Sequence, residues 1–262
     1  MKVSPAGPET PAAERSLTRG HVVPFLVWVG AIAALAAAER VASLPPLTGA
    51  WIYAAKAAVC AALFLWWRPW RIYPPLRLRN LVPAVAAGLG VAVFWILPET
   101  VWFGQTFPAA QGFYHRWLIL MPGGYPDYYD PALFPRLPPG FAGALYDPSV
   151  CGWGLALARA AGSALVIAVI EEFFFRGFLY RWLRKSEFWR IPLARWDTAA
   201  FCTVVALFGF EHDRWLAGLA AGAVYGALAV RTGDLWAAAV AHGLTNAALG
   251  AYVLLGGRYG FW

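Results

Sequence analysis

The chain has 262 residues, of which 60% are hydrophobic and only 13% are charged. Soluble domains of this length do not carry apolar stretches so long and so frequent, so the composition excludes an ordinary soluble protein and predicts a polytopic helical membrane protein. The net charge of +7 comes from basic residues that cluster in short loops. This pattern is typical of membrane topology rather than of nucleic-acid binding.

Apolar runs predict an all-α transmembrane bundle of about seven spanning helices. A polar tail, residues 1–20, precedes a single integral membrane domain, residues 21–262. The predicted spans are 22–44, 48–67, 81–104, 152–180, 196–212, 214–231 and 234–256. The apolar segment Trp117–Met121 is too short to span, and it leaves an eighth, re-entrant or interfacial, helix open.

The distribution of basic residues predicts the orientation of the bundle. Arginines and lysines concentrate in the loops 68–80 and 181–195, whereas the Pro-, Gly- and Tyr-rich segment 105–150 carries few. The positive-inside rule places the two basic loops and the amino terminus in the cytoplasm. We expect an integral protein of a bacterial cell membrane, with the lipid bilayer as a partner and no nucleic acid.

Two adjacent glutamates, Glu171 and Glu172, interrupt the apolar helix at 152–180. Ionisable groups at hydrocarbon depth are costly and mark functional sites. Arg176 lies four residues after Glu172, on the same helix face, and we expect the two to pair. Glu171 points about 100° away. The sequence thus predicts one glutamate held in place and another with no local counter-charge.

Further polar residues follow on the next helices. Phe208 and His212 share one face through four-residue spacing, as do His242 and Asn246. Counted along their helices at ~1.5 Å per residue, Glu171, His212, His242 and Asn246 lie about 12–23 Å from the cytoplasmic side. We therefore expect these four side chains to meet in one cavity.

A carboxylate, two imidazoles and an amide are the groups that peptide hydrolysis needs. Glu171 is a candidate general base toward water, and Asn246 a candidate donor to an oxyanion. Glu171, His212 and His242 also form a ligand set that catalytic zinc uses. Zinc is thus a candidate cofactor, although asparagine, a poor zinc ligand, favours the metal-free arrangement.

The three motifs E-E-x-x-x-R, F-x-x-x-H and H-x-x-x-N, in order on successive helices, resemble the CAAX-protease and bacteriocin-processing (CPBP/Abi) family of intramembrane endopeptidases. The resemblance covers about residues 152–256, and the bacterial CAAX prenyl protease-related subgroup fits the long loop. It implies that Glu171 and His212 activate water, while His242 and Asn246 hold the oxyanion or ligate a metal. Glu172, Arg176 and Phe208 are supporting residues. The substrate is expected to be a membrane-associated peptide or protein.

Two other classes of function stay open at the level of sequence. A non-proteolytic membrane scaffold or immunity protein would keep the fold without using Glu171. A small proton-coupled transporter would use the buried acids as carriers, but its two halves should show repeats, and the polar residues here concentrate in one half. The substrate, the scissile bond, the side of substrate access and the oligomeric state are not fixed by the sequence.

Other charged residues have simpler interpretations. Glu39 and Lys56 lie at equal depth on either side of a predicted hairpin, and we expect a structural ion pair remote from the cavity. Glu99 and Arg159 have no evident partner in the sequence. Glu211, next to His212, is expected to be a solvated or interfacial acid. His21 and His115 are expected to be inert loop residues.

Overall fold

The computed structural model describes residue 8, residues 10–119 and residues 145–262. These residues are almost wholly helical, and no β-strand occurs among them, which confirms the predicted all-α class. The principal helices are α1 Pro11–Val41, α2 Thr48–Trp67, α3 Leu81–Ile96, α4 Val101–Thr106, α5 Pro108–Trp117, α6 Pro148–Trp182, α7 Thr198–Phe210, α8 Trp215–Thr232 and α9 Leu235–Gly256.

Six helical segments of the described chain are long and apolar enough to cross a membrane: Pro11–Val41, Thr48–Trp67, Leu78–Glu99, Pro148–Trp182, Trp215–Thr232 and Leu235–Gly256. The seventh predicted span, 196–212, corresponds to α7, which has only 13 residues. At ~1.5 Å per residue, α7 is shorter than the ~30 Å hydrocarbon core. The polytopic bundle is confirmed, but the count of seven is replaced by six candidate spans and one shorter apolar helix.

The first helix begins well before residue 22. Thr10 caps α1 by accepting a hydrogen bond from the Ala13 amide, 3.2 Å away. The second half of the expected polar tail is therefore helical. The loop assignment of His21 is wrong, because this side chain is buried inside α1 and hydrogen-bonded to the Leu17 carbonyl and the Tyr73 hydroxyl, both at 2.8 Å. Burial raises the pKa of Tyr73 to about 12, so its hydroxyl keeps its proton.

The predicted span 81–104 is divided in the structure. A 3₁₀ turn, Leu97–Glu99, follows α3, and the Thr100 side chain caps α4. Pro98 lacks an amide hydrogen and interrupts the helical ladder at this point. Glu99 is buried and receives two hydrogen bonds from the Arg214 guanidinium, at 2.5 and 2.9 Å. Glu99 thus has a partner that the sequence did not reveal.

The segment 105–150 is only partly a loop. His115 and Trp117 belong to α5 rather than to a loop. Leu118 and Ile119 follow α5 as a turn and a bend, and residues 120 and 121 of the predicted short segment Trp117–Met121 lie outside the described residues. Residues 120–144, which make up most of the predicted external loop, lie outside them altogether.

Helix α9 lies at the centre of the bundle and packs against α3, α6 and α8. Its contact with α3 is close, because a Cβ added at Gly88 would lie 2.5 Å from the Ala241 carbonyl oxygen. Thr245 donates a hydrogen bond to the Gly88 carbonyl at 2.8 Å. Small residues allow such backbone approach between membrane helices, and here the approach sets the position of His242, next to Ala241.

The depth of α9 is fixed at its amino terminus. Asp234 accepts hydrogen bonds from the Trp236 and Ala237 amides, at 3.1 and 3.3 Å. Its other oxygen accepts from the Arg77 amide at 3.0 Å and the Asn80 side chain at 2.8 Å. A side-chain cap that also binds the preceding loop defines the register of the helix, and hence the level of the residues that α9 presents to its neighbours.

Candidate active site

A cavity of about 480 Å³ lies within the bundle, and Glu171, His212, His242 and Asn246 all line it. They come from α6, from the turn after α7, and from α9. The structure therefore brings together the four residues that the depth estimate placed at one level. Their catalytic roles are a separate matter, which rests on the chemistry of each side chain.

The two glutamates lie on an irregular part of α6. π-helical turns, Gly162–Ile167 and Phe173–Leu179, flank the α-helical stretch that carries Glu171 and Glu172. Widened turns of this kind are rare and frequently occur at functional sites. Here they lie immediately before and after the short stretch that carries the two acidic side chains.

The predicted pair between Glu172 and Arg176 is confirmed, with a separation of 2.8 Å between Oε1 and Nη1. Both residues are fully buried. Arg176 also donates to the Gly222 carbonyl at 2.9 Å, and its guanidinium lies 4.4 Å from the centre of the Phe208 ring. Arg176 therefore ties α6 to α7 and α8, and Phe208 acts as a cation–π partner in addition to packing.

The imidazole of His242 is held by its surroundings. Nδ1 lies 3.1 Å from Glu172 Oε1, and because a paired carboxylate only accepts, Nδ1 is the donor. The ring stacks on Tyr225, with 4.9 Å between the ring centres. The Tyr225 hydroxyl donates to Thr245 at 2.6 Å. Nε2 is consequently directed toward Glu171, 3.7 Å from Oε2.

His212 faces the same cavity from the turn after α7. Its Nδ1 lies 2.7 Å from the Phe208 carbonyl, which only accepts, so Nδ1 carries the proton. In the neutral ring, Nε2 is then an acceptor. Trp95 and Phe208 pack against the imidazole, with ring centres 5.4 and 4.8 Å away. His212 is thus part of the cavity wall, as its predicted depth implies.

Glu171 and Asn246 complete the polar wall. Glu171 is largely buried, yet it forms no ion pair other than the long contact to His242 among the described residues. This agrees with the expected absence of a local counter-charge. Asn246 uses one amide hydrogen to bond the Ser163 carbonyl at 3.0 Å. Among the described residues its second amide hydrogen and its carbonyl oxygen have no further hydrogen bond, so both can bind a molecule in the cavity.

The predicted Glu39–Lys56 pair is wrong. Glu39 is exposed, and no ion pair joins it to Lys56 in the described part of the chain. The Lys56 ammonium lies instead 4.2 Å from the centre of a Trp28 ring and lines the cavity. Equal depth in a hairpin does not determine the rotation of each helix about its axis, and here that rotation turns the two side chains apart.

Sequence reasoning also missed several residues of the cavity wall. Arg159 and Glu211 line it, although no motif includes them. Glu211 is exposed, as expected of a solvated acid, and its position directly before His212 was the available signal that it also borders the cavity. Arg159 bonds the Tyr53 hydroxyl at 2.9 Å, and nothing in the sequence connects these two residues of different helices.

The candidate zinc ligands are not gathered into a metal site. Among the described residues, no three His, Cys, Asp or Glu side chains are arranged so that they could hold a metal ion. His242 is oriented by Glu172, and His212 by a backbone carbonyl at the end of another helix. The positions of Glu171, His212 and His242 therefore do not fit a three-ligand zinc site. The reaction proposed for this cavity uses the side chains alone.

Comparison with known families adds to this geometry. Residues 153–248 match the model of a family described as type II CAAX prenyl endopeptidase Rce1-like. Residues 153–248, the Rce1-like segment, are therefore similar to this family. The Rce1-like segment contains all three motifs, from Glu171 to Asn246, so the family resemblance predicted from them is confirmed. No curated protein and no solved structure gave a significant match to the chain.

The Rce1-like segment does not include the whole cavity. Helices α1 to α3 precede residue 153, and they contribute Trp28, Tyr53, Lys56 and Trp95 to the cavity wall. The three motifs therefore account for the polar side that carries Glu171. They do not include the cationic residues of the wall, of which Arg159 lies inside the Rce1-like segment and Lys56 precedes it.

Proposed function

We propose that this protein is an intramembrane endopeptidase that hydrolyses peptide bonds of membrane-associated substrates, with a water molecule activated by Glu171 and His212. The observation that carries the proposal is the position of the Glu171 carboxylate. The carboxylate lines a cavity within the bundle, with its Oε2 3.7 Å from His242 Nε2, and His212 lines the same cavity. The match of this segment to a peptidase family supports the same reaction.

The side chains divide the reaction between them. Glu171 takes one proton from water as the water oxygen attacks the carbonyl carbon, while His212 Nε2 accepts a hydrogen bond from the hydrogen that stays on that oxygen and so orients the molecule. The carbonyl oxygen becomes an oxyanion, to which the Asn246 amide donates, and His242 lies beside the same reacting group, with Nε2 3.7 Å from Glu171 Oε2. The proton held by Glu171 then passes to the leaving amine as the carbon–nitrogen bond breaks.

The second glutamate has a positioning role. Glu172 bonds His242 on one side and Arg176 on the other, at 3.1 and 2.8 Å. Arg176 in turn is fixed by the Gly222 carbonyl. A buried carboxylate that orients an imidazole keeps the reactive groups within the narrow range of geometry that efficient catalysis requires.

The test uses the intact protein in its own membrane. In cells that carry Glu171→Gln, an uncut substrate should accumulate, whereas Glu39→Gln, which changes an exposed glutamate outside the cavity, should leave processing intact. The accumulated protein is then offered to the two purified variants. Loss of a general base should slow cleavage by a factor of about 10²–10⁴, with an unchanged thermal unfolding midpoint as the control for folding.

Two results would contradict the proposal. If the membrane proteome of Glu171→Gln cells shows the same cleaved termini as the wild type, the protein is a scaffold rather than a peptidase. If proton flux in vesicles depends on Glu171 while no peptide is cut, a transporter is the better description.

The proposed orientation, with a cytoplasmic amino terminus in a bacterial cell membrane, is tested by reporter fusions at both termini.

A further inference from the structure

The wall of the cavity that the three motifs leave unexplained is cationic. Lys56 of α2 and Arg159 of α6 both line it. The Lys56 ammonium lies 4.2 Å from the centre of a Trp28 ring and 4.9 Å from that of Tyr53. The Arg159 guanidinium lies 4.4 Å from the Tyr53 ring centre and 5.4 Å from that of Tyr146. Two positive charges thus sit on aromatic faces beside one opening.

Neither cation has an acidic partner. In the part of the chain that the structure describes, no carboxylate forms an ion pair with Lys56 or Arg159. Arg159 gives one hydrogen bond to the Tyr53 hydroxyl, and no described residue accepts a hydrogen bond from its buried Nε. Aromatic faces offset only part of the desolvation of a charge, so donor groups remain unsatisfied in this wall.

The two positive charges also repel each other. A like-charged pair at hydrocarbon depth is unfavourable when the cavity is empty of ions, and such groups mark ligand pathways in membrane proteins. One anion within reach of both side chains would remove the repulsion and satisfy the free donors at the same time. Arginine and lysine bind carboxylate and phosphate oxygens in this way.

We propose that Lys56 and Arg159 form an anion-binding subsite in this cavity, distinct from Glu171, which takes the carboxylate or phosphate group of an apolar molecule. The aromatic rings of Trp28, Tyr53 and Tyr146 give the subsite its apolar flank. Two kinds of molecule supply such an anionic group: a peptide chain, through its C-terminal carboxylate, and a lipid, through the phosphate of its headgroup. The first source rests on the proposed peptidase function, whereas anion binding as such does not.

The test measures binding of four defined probes to the purified full-length protein in a nonionic detergent, by quenching of tryptophan fluorescence. An N-acylated tripeptide with a free carboxylate is compared with its C-terminal amide, and dodecyl phosphate with dodecanol. Charge-assisted hydrogen bonds of this kind should make an anionic probe bind roughly ten- to a hundredfold more tightly than its neutral partner.

Variants locate the effect. The double change Lys56→Gln/Arg159→Gln should abolish the preference for the anionic probe, and each single change should reduce it several-fold. The charge-preserving change Lys56→Arg should retain it. Matched controls are Lys185→Gln and Arg71→Gln, at residues that do not line the cavity. If the double variant does not elute as a single peak in gel filtration, it is not properly folded, and binding to the two single variants then tests the proposal.

Each outcome decides the proposal. A preference for the peptide acid alone assigns the subsite to a peptide terminus, and a preference for dodecyl phosphate alone assigns it to a lipid headgroup. Equal binding of charged and neutral probes to the wild type would overturn the subsite, as would a preference that both cavity substitutions leave unchanged. Cleavage is not read in this assay, so its result is independent of whether Glu171→Gln abolishes hydrolysis.

Discussion

The two sides of the cavity differ in how far sequence alone could describe them. On the side formed by α6, α7 and α9, the motif residues Glu171, His212, His242 and Asn246 converge as their spacing and depth predict. On the side formed by α1 and α2, the expected Glu39–Lys56 pair is absent, and Lys56 packs on Trp28 instead. Spacing within one helix fixes a shared face, whereas contact between helices depends on rotations that depth does not reveal.

The substitution with the largest expected loss of stability lies on the side of the cavity that carries the three motifs. Arg176→Ala removes the partner of buried Glu172 and leaves an uncompensated charge, which should lower the free energy of unfolding by about 3–5 kcal/mol. Cleavage should fall as well, because Glu172 orients His242. Denaturation in mixed detergent micelles measures the first effect, and a peptide assay the second.

The matched control for Arg176 is Arg190→Ala. Arg190 pairs with Glu187 at 2.9 Å, but its side chain is 60% exposed. This pair should contribute less than about 1 kcal/mol. If both substitutions leave the unfolding midpoint unchanged while Arg176→Ala abolishes cleavage, the structural role assigned to Arg176 is wrong and a direct catalytic role replaces it.

A smaller loss of stability is expected from a substitution at the contact between α3 and α9. In Gly88→Ala, the new Cβ would lie 2.5 Å from the Ala241 carbonyl oxygen, so α3 and α9 must separate. Overpacking of this kind should cost about 1–3 kcal/mol and should displace His242. Unfolding and cleavage measurements check the two effects.

Gly90 provides a control in the same helix. A Cβ at Gly90 meets nothing within 4 Å, so Gly90→Ala should raise stability by about 0.5–1 kcal/mol through helix propensity alone. Equal behaviour of the two alanine variants would show that the close approach of α3 does not position the catalytic helix.

A still smaller effect distinguishes Lys56 from Glu39. Lys56→Gln loses cation–π contacts worth about 0.5–1 kcal/mol, but it also relieves the repulsion from Arg159. The free energy of unfolding should therefore fall by less than about 1 kcal/mol, while Glu39→Gln should stay within about 0.5 kcal/mol of the wild type. The double variant should show no coupling. A coupling of about 1 kcal/mol would restore the ion pair that the structure does not contain.

No effect is expected from removal of metal ions. Glu171, His212 and His242 do not form a ligand cluster, and Asn246 is better suited to an oxyanion than to zinc. Chelation should therefore leave cleavage unchanged, and elemental analysis of the purified protein should find substoichiometric zinc. Stoichiometric zinc, with activity lost on its removal and regained on its return, would refute this arrangement.

The sequence by itself determined the helical membrane class, the Glu172–Arg176 pair and the group of residues that share the cavity. These features depend on local composition and on the fixed geometry of a helix. Helix ends were less accessible: α1 begins at Pro11 because Thr10 caps it, and α3 ends near Pro98. A helix cap or a helix break depends on a single residue and on the groups that it contacts, so helix ends are harder to predict than helix interiors.

Only the tertiary structure decided which residues of different helices touch. The contacts of Glu99 with Arg214, of Arg159 with Tyr53 and of His242 with Glu172 join residues 115, 106 and 70 positions apart. No local pattern encodes such contacts, because they follow from how whole helices rotate and pack. For the same reason the cationic wall, Lys56 and Arg159, came to light in the folded bundle and not in the chain.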